Sequence, residues 1–154
     1  MTPTLLILMR SKNILLISNM THILLDIKYN NTESVLYDKN RGESIITNWC
    51  EFNNHSLVMQ PITYVFPLRY QENKGFFQSS IANCQNGYTS VGLLKESHIS
   101  IHTYPEYNSI QIDFFSCNEL NKRQNIEYME RIFKKPNAVT FKWRFIDRAI
   151  RHDI

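Results

Sequence analysis

Ser97, His102 and Cys117 are the residues whose types and spacing could let this chain do chemistry on itself. A serine hydroxyl can attack the carbonyl before it, an imidazole can carry protons near neutral pH, and a thiol can supply one. They belong to the run Lys95-Glu96-Ser97-His98-Ile99-Ser100-Ile101-His102-Thr103-Tyr104-Pro105-Glu106 and to a cysteine beyond it. The imidazole is five residues after the serine and the thiol twenty. Such a set can make a catalytic group out of backbone.

These residues must be held by strands. Between His98 and Tyr104 the alternation puts His98, Ser100 and His102 on one face and Ile99, Ile101 and Thr103 on the other. Ser109 to Ser116 alternates likewise, with Ile110, Ile112 and Phe114 opposed to Gln111, Asp113, Phe115 and then Cys117. Thr89 to Lys95 reads as a third run, and His22 to Tyr29 as the first strand of the chain. His55 to Phe66 is extended but broken by Pro61, which suits a sheet edge or a bulge. A helix is expected from about Asp38 to Glu51, with Gly42 weakening its start. A second, capped by Asn118 or Asn121, is expected to run to about Lys135 on a stripe of Ile126, Met129, Ile132 and Phe133. Ala138 to Phe145 returns as the last strand. The order βαββββαβ predicts a two-layer α/β sandwich, a mostly antiparallel sheet with helices on one face.

The polar stretch from Pro67 to Tyr88 reads as one long loop, a length usually tied to function. The first nineteen residues read as an extension, because Met20 offers an alternative start of translation and the fold is expected over 20–154. Their apolar pieces are short and interrupted by charge, so neither a membrane span nor a signal peptide is expected. The chain is expected to be cytoplasmic.

Size and composition fit one domain of 154 residues with its own core. A net charge of +3 with no dense basic stripe argues against a nucleic-acid partner. Cysteines at 50, 84 and 117 form neither a disulfide framework nor a CxxC motif. His98 and His102, four apart on a strand, stand about 13 Å from one another, too far to share an ion, so no metal is expected.

The segment Gly87-Tyr88-Thr89-Ser90-Val91-Gly92 followed by Glu96-Ser97-His98-Ile99-Ser100-Ile101-His102-Thr103-Tyr104-Pro105-Glu106 resembles the processing and active-site region of bacterial S-adenosylmethionine decarboxylases. These are pyruvoyl-dependent enzymes of polyamine synthesis. Cys117 stands at the family's distance from the serine, and the resemblance extends more weakly from His22 to about Phe145, in the short single-domain form. It implies a proenzyme cut between Glu96 and Ser97. The serine hydroxyl attacks the Glu96 carbonyl, the resulting ester eliminates, and the new N-terminal dehydroalanine hydrolyses to a pyruvoyl group and ammonia. That group, covalent and derived from Ser97, replaces pyridoxal phosphate. It forms a Schiff base with the substrate amine and takes up electrons as carbon dioxide leaves.

The resemblance also assigns roles. His102 supports processing by proton transfer, and Thr89 assists with its hydroxyl. Cys117 returns a proton to the α-carbon, which suits a thiol still protonated at neutral pH. Glu106 binds the ribose hydroxyls, Phe66 lies against the adenine, and Glu96 flanks the cut, as His98 does. The substrate implied is S-adenosylmethionine, decarboxylated for spermidine synthesis, and the assembly implied is a homodimer of processed protomers.

Three departures bear on the substrate. Lys95 stands where a small residue is usual, Tyr104 replaces a tryptophan, and 67–88 is much longer than the usual link. A pyruvoyl decarboxylase of ornithine or arginine on the same scaffold is the nearest alternative. An unprocessed, non-enzymatic homologue that binds a nucleoside or regulates a partner is the third reading.

Overall fold

A computed structural model describes residues 14–66, 86–134 and 139–153. The chain runs β1 (Ile14–Tyr29), a 3-10 turn (Ser34–Leu36), α1 (Lys39–Phe52), β2 (Ile62–Phe66), β3 (Gly87–Leu93), β4 (His98–Tyr104), a second 3-10 turn (Pro105–Tyr107), β5 (Ser109–Ser116), α2 (Lys122–Phe133) and β6 (Val139–Asp153). One sheet of six strands in the order β2-β3-β4-β5-β1-β6 is antiparallel at every junction. Both helices pack on one face, so the expected two-layer sandwich and its element order hold.

The alternation read from the sequence sets the layers. Ile23, Leu25 and Ile27 of β1, Ile99 and Ile101 of β4, and Ile110, Ile112 and Phe114 of β5 are buried against Ile45, Ile46 and Trp49 of α1 and Met129 and Phe133 of α2. Trp49 meets Phe114 edge-on with ring centroids 4.9 Å apart. Its indole N–H donates to Asn125 Oδ1 at 2.6 Å, and the same oxygen accepts from Asn53 Nδ2 at 2.9 Å. A buried indole N–H needs such a partner, so this pair ties α1 to α2. Each helix starts on a side-chain cap: Asp38 accepts from Arg41 N and Asn121 from Gln124 N. Gly42 weakens nothing that matters here. A Cβ at that position would overlap the Tyr88 ring, so the glycine lets α1 approach β3 closely.

Several boundaries differ from expectation. β1 begins at Ile14 rather than His22, and β6 continues to Asp153 rather than ending near Phe145. The two strands extend one another: residues from Ile14 to Met20 pair with residues from Arg148 to Asp153. Residues 14–19, expected in an N-terminal extension, therefore belong to the sheet. β3 begins at Gly87, because Tyr88 is fully buried and its hydroxyl donates to the Val35 carbonyl. Of the extended run expected from His55, only Ile62–Phe66 forms a strand, and it is an edge strand, as Pro61 suggested. The rest of the 67–88 loop, residues 67–85, lies outside the described residues, as do residues 1–13. Among the described residues no helix is long and apolar enough to cross a membrane.

Candidate active site

The face of the sheet away from the helices carries Thr89, His102, His98 and Asp113. Cross-strand register sets Tyr64, Thr89, His102, Gln111 and Asp26 in one row and Leu93, His98, Phe115, His22 and Ile146 in another. Along β4 the residues expected in the site divide into two groups near opposite ends.

At the first end, Leu94 N–H donates to Ser97 O at 3.0 Å, closing a two-residue turn made by the exposed Lys95 and Glu96. The bond expected to break is therefore at a tight, accessible turn. Ser97 itself is buried, and its Oγ accepts the Cys117 N–H at 2.8 Å. That donor orients Oγ and favours the form of it that has given up its proton. Ser97 and the Cys117 backbone, distant in sequence, thus meet through this bond. Glu96 is on the turn beside them.

At the other end, Thr89 Oγ1 lies 3.0 Å from His102 Nδ1 across the β3–β4 ladder. The hydroxyl fixes the ring through Nδ1. Phe66 sits over Gly87, where an added Cβ would lie 2.7 Å from its ring and 2.8 Å from the Thr103 carbonyl, so glycine is needed for this approach. Tyr104 is in the β4 position beside Thr103, and the exposed Glu106 follows in the turn after it. Phe66, Glu106, Thr89 and His102 thus gather at the end of β4 remote from Ser97. His102 is five residues from Ser97, about 16 Å along an extended chain.

His102 borders a depression of about 180 Å³ with Ser100, Asp113, Asp26 and Arg144. Single-molecule ligand sites are commonly larger, from about 300 Å³ upward. A depression of about 280 Å³ lies between the ends of α1 and α2, near none of the candidate residues.

Two further groups were not anticipated as parts of the site. Asp113 Oδ1 is 2.6 Å from His22 Nε2 and 3.7 Å from His98 Nε2, beside the Phe115 ring. The alternation put Asp113 and His98 on matching faces, but only cross-strand register brings His22 to them. His55 Nε2 lies 2.9 Å from the Ser116 hydroxyl, and burial pushes this imidazole below its ordinary value. The signal for its position was the Asn53-Asn54 pair. Asn54 takes a left-handed backbone (φ 57°), and the His55 N–H caps the Cys50 carbonyl, so the helix stop aims His55.

Comparison with known proteins bears on residues 21–145, which match the model of the S-adenosylmethionine decarboxylase family. An S-adenosylmethionine decarboxylase proenzyme of Archaeoglobus fulgidus is 36% identical over 67 residues, 44% of this chain and 50% of that protein. An arginine decarboxylase proenzyme of Caldivirga maquilingensis is 35% identical over 65 residues, 42% of this chain and 47% of that one. The matched stretch thus spans about half the length of these curated relatives. The crystal structure of adenosylmethionine decarboxylase from Aquifex aeolicus superposes with a TM-score of 0.62 at 20% identity, covering 86% of this chain and 92% of that one. At that identity the likeness concerns the fold. With most of its length matched by the family model, the chain belongs to the S-adenosylmethionine decarboxylase family.

Proposed function

We propose that this chain is a self-processing decarboxylase whose prosthetic group arises from Ser97. The observation that carries the reading is the Cys117 N–H donated to a buried Ser97 Oγ at a two-residue turn. Ser97 Oγ attacks the Glu96 carbonyl carbon, the peptide C–N bond breaks, and the freed nitrogen takes the hydroxyl proton. Loss of the Ser97 α-proton then expels the Glu96 carboxylate, and hydrolysis of the resulting dehydroalanine leaves a pyruvoyl group and ammonia. A buried serine so placed at a tight turn, with a backbone donor on its oxygen, fits the formation of that group. Once formed, the group supplies a carbonyl that condenses with the substrate amine and takes up the electrons released with carbon dioxide. Cys117 holds the proton that the product carbon receives. Phe66 offers an aromatic face and Glu106 a carboxylate for ribose hydroxyls, and both suit a cationic sulfonium nearby.

The assembly proposed is a homodimer. Thr89 and His102 cannot reach Ser97 of their own chain across about 16 Å of strand. A second copy laid with its sheet over the open face, turned end for end, brings its Thr89, His102, Phe66 and Glu106 towards Ser97 and Cys117. Ile62, Tyr64, Leu93 and Ile146 on that face are exposed apolar side chains that a partner would cover. A cytoplasmic setting suits the free thiols of Cys50 and Cys117.

S-adenosylmethionine, feeding spermidine synthesis, is the substrate we favour, on Phe66 and Glu106. Arginine is the second reading, because the arginine decarboxylase relative matches about as well as the adenosyl one. Carbon dioxide release from S-adenosylmethionine, arginine and ornithine, measured side by side on the purified protein, decides between them. Release from S-adenosylmethionine alone is the expected result; release from arginine alone would replace this substrate with the second reading.

A further inference from the structure

We infer that His55 is a positioning residue for the Ser97–Cys117 pair, a role that rests on the self-processing reading. It acts through hydrogen bonds that fix the backbone on both sides of Cys117. His55 Nε2 holds the Ser116 hydroxyl at 2.9 Å, and the same oxygen accepts the Asn118 N–H at 3.0 Å. The turn from Ser116 to Asn118 is thereby fixed from below, while Asn118 O accepts the Thr21 N–H at 3.2 Å from β1. Between those two anchors lies Cys117, whose N–H reaches Ser97 Oγ at 2.8 Å.

Register and burial agree with this path. Extending the β4–β5 pairing by one position beyond His98 and Phe115 sets Ser116 opposite Ser97. Ser116 is fully buried and Ser97 nearly so, so neither hydroxyl can substitute water for a lost protein partner. His55 is wedged edge-on against Phe114, 5.7 Å between ring centroids, and its backbone N–H is committed to the stop of α1. Helix α1 therefore delivers a rigid imidazole under the end of β5. In the neutral tautomer protonated at Nδ1, His55 Nε2 accepts a hydrogen bond from the Ser116 hydroxyl, which leaves the Ser116 lone pairs for the Asn118 N–H. Desolvation favours that neutral form.

The consequence is alignment of the attacking oxygen through the Cys117 backbone N–H. A displacement of the Cys117 N–H by a fraction of an ångström weakens the hydrogen bond that aims Oγ and favours its deprotonation. No proton passes between His55 and Ser97 in this account.

The test follows cleavage of freshly synthesised full-length chain with time for wild type, His55→Leu, His55→Gln and Ser116→Ala, each checked for folding by thermal melting. His55→Leu and Ser116→Ala should slow cleavage by about tenfold to a hundredfold. His55→Gln, whose amide can still bond the Ser116 hydroxyl, should recover most of the rate. A packing role alone predicts the reverse order, with leucine the better replacement. Folded His55→Leu chain cleaving within about twofold of wild type would overturn the inference. Should wild type itself stay whole, it is the self-processing reading that fails. Amide exchange then decides on His55: protection of Cys117 and Asn118 lost in His55→Leu supports the positioning role, and unchanged protection overturns it.

Discussion

Ser97 and His102 belong to one continuous run of chain, yet the strand between them holds the imidazole about 16 Å from the hydroxyl it is expected to serve. Each has instead a local partner: Cys117 N–H for the serine at 2.8 Å and Thr89 for the histidine at 3.0 Å. Two half-sites at opposite ends of one strand make sense if each is completed by the opposite half of another copy.

That arrangement predicts complementation. His102→Ala chain keeps Ser97, and Ser97→Ala chain keeps His102. Alone, the first should cleave slowly and the second not at all. Produced together, the His102→Ala chain should be cut at least about tenfold faster than when alone, while the Ser97→Ala chain stays whole. Differently tagged chains on a denaturing gel give the answer, and no acceleration on mixing would exclude a shared site.

Phe66 and Glu106 test the substrate. Phe66→Leu and Glu106→Gln should leave cleavage intact and raise KM for S-adenosylmethionine by about tenfold or more, with a smaller change in kcat. Lost aromatic stacking and lost ribose hydrogen bonds each account for that order of effect. Steady-state kinetics on the processed enzyme measure it, and an unchanged KM in both variants would remove these residues from the pocket.

The contact between helices should be costly to break. Asn125→Ala removes the acceptor of the buried Trp49 N–H and of Asn53 Nδ2. Leaving such donors unpaired destabilises by about 1–3 kcal/mol, read from the midpoint of a urea melt.

His55 gives stability a dependence on pH. Burial lowers its folded-state value below 6.5, so the unfolded chain takes up a proton first as pH falls. This contribution is fully present above 6.5 and is lost as pH drops from there towards the folded value. Urea melts at about pH 7.5 and about pH 5.5 should show a larger loss for wild type than for His55→Gln. Equal losses would contradict a buried neutral imidazole.

Much of this was legible in the sequence. Period-two alternation assigned the faces of β4 and β5 residue by residue, because one side of each strand is packed on helices and the other is open. Asn121, one of two asparagines offered as a cap, marked where the second helix starts, since a short polar side chain satisfies the first free N–H groups. What could not be read was register and reach. Nothing local says that His22 pairs beside Asp113, that β1 and β6 prolong each other past the rest of the sheet, or that His102 is too far from Ser97. The run Glu96 to Glu106 displays Ser97, His102 and Glu106 together in sequence, and an extended strand is what separates them. His55 escaped for a different reason: its neighbours read as extended chain, whereas the left-handed Asn54 makes them a helix stop.

Intact-mass spectrometry of the purified protein tests the central claim most directly. Two chains, residues 1–96 and residues 97–154 with a pyruvoyl group in place of Ser97, are the expected result for wild type, and a single whole chain for Ser97→Ala. Wild-type protein that is folded, dimeric and of full uncut mass would contradict the account.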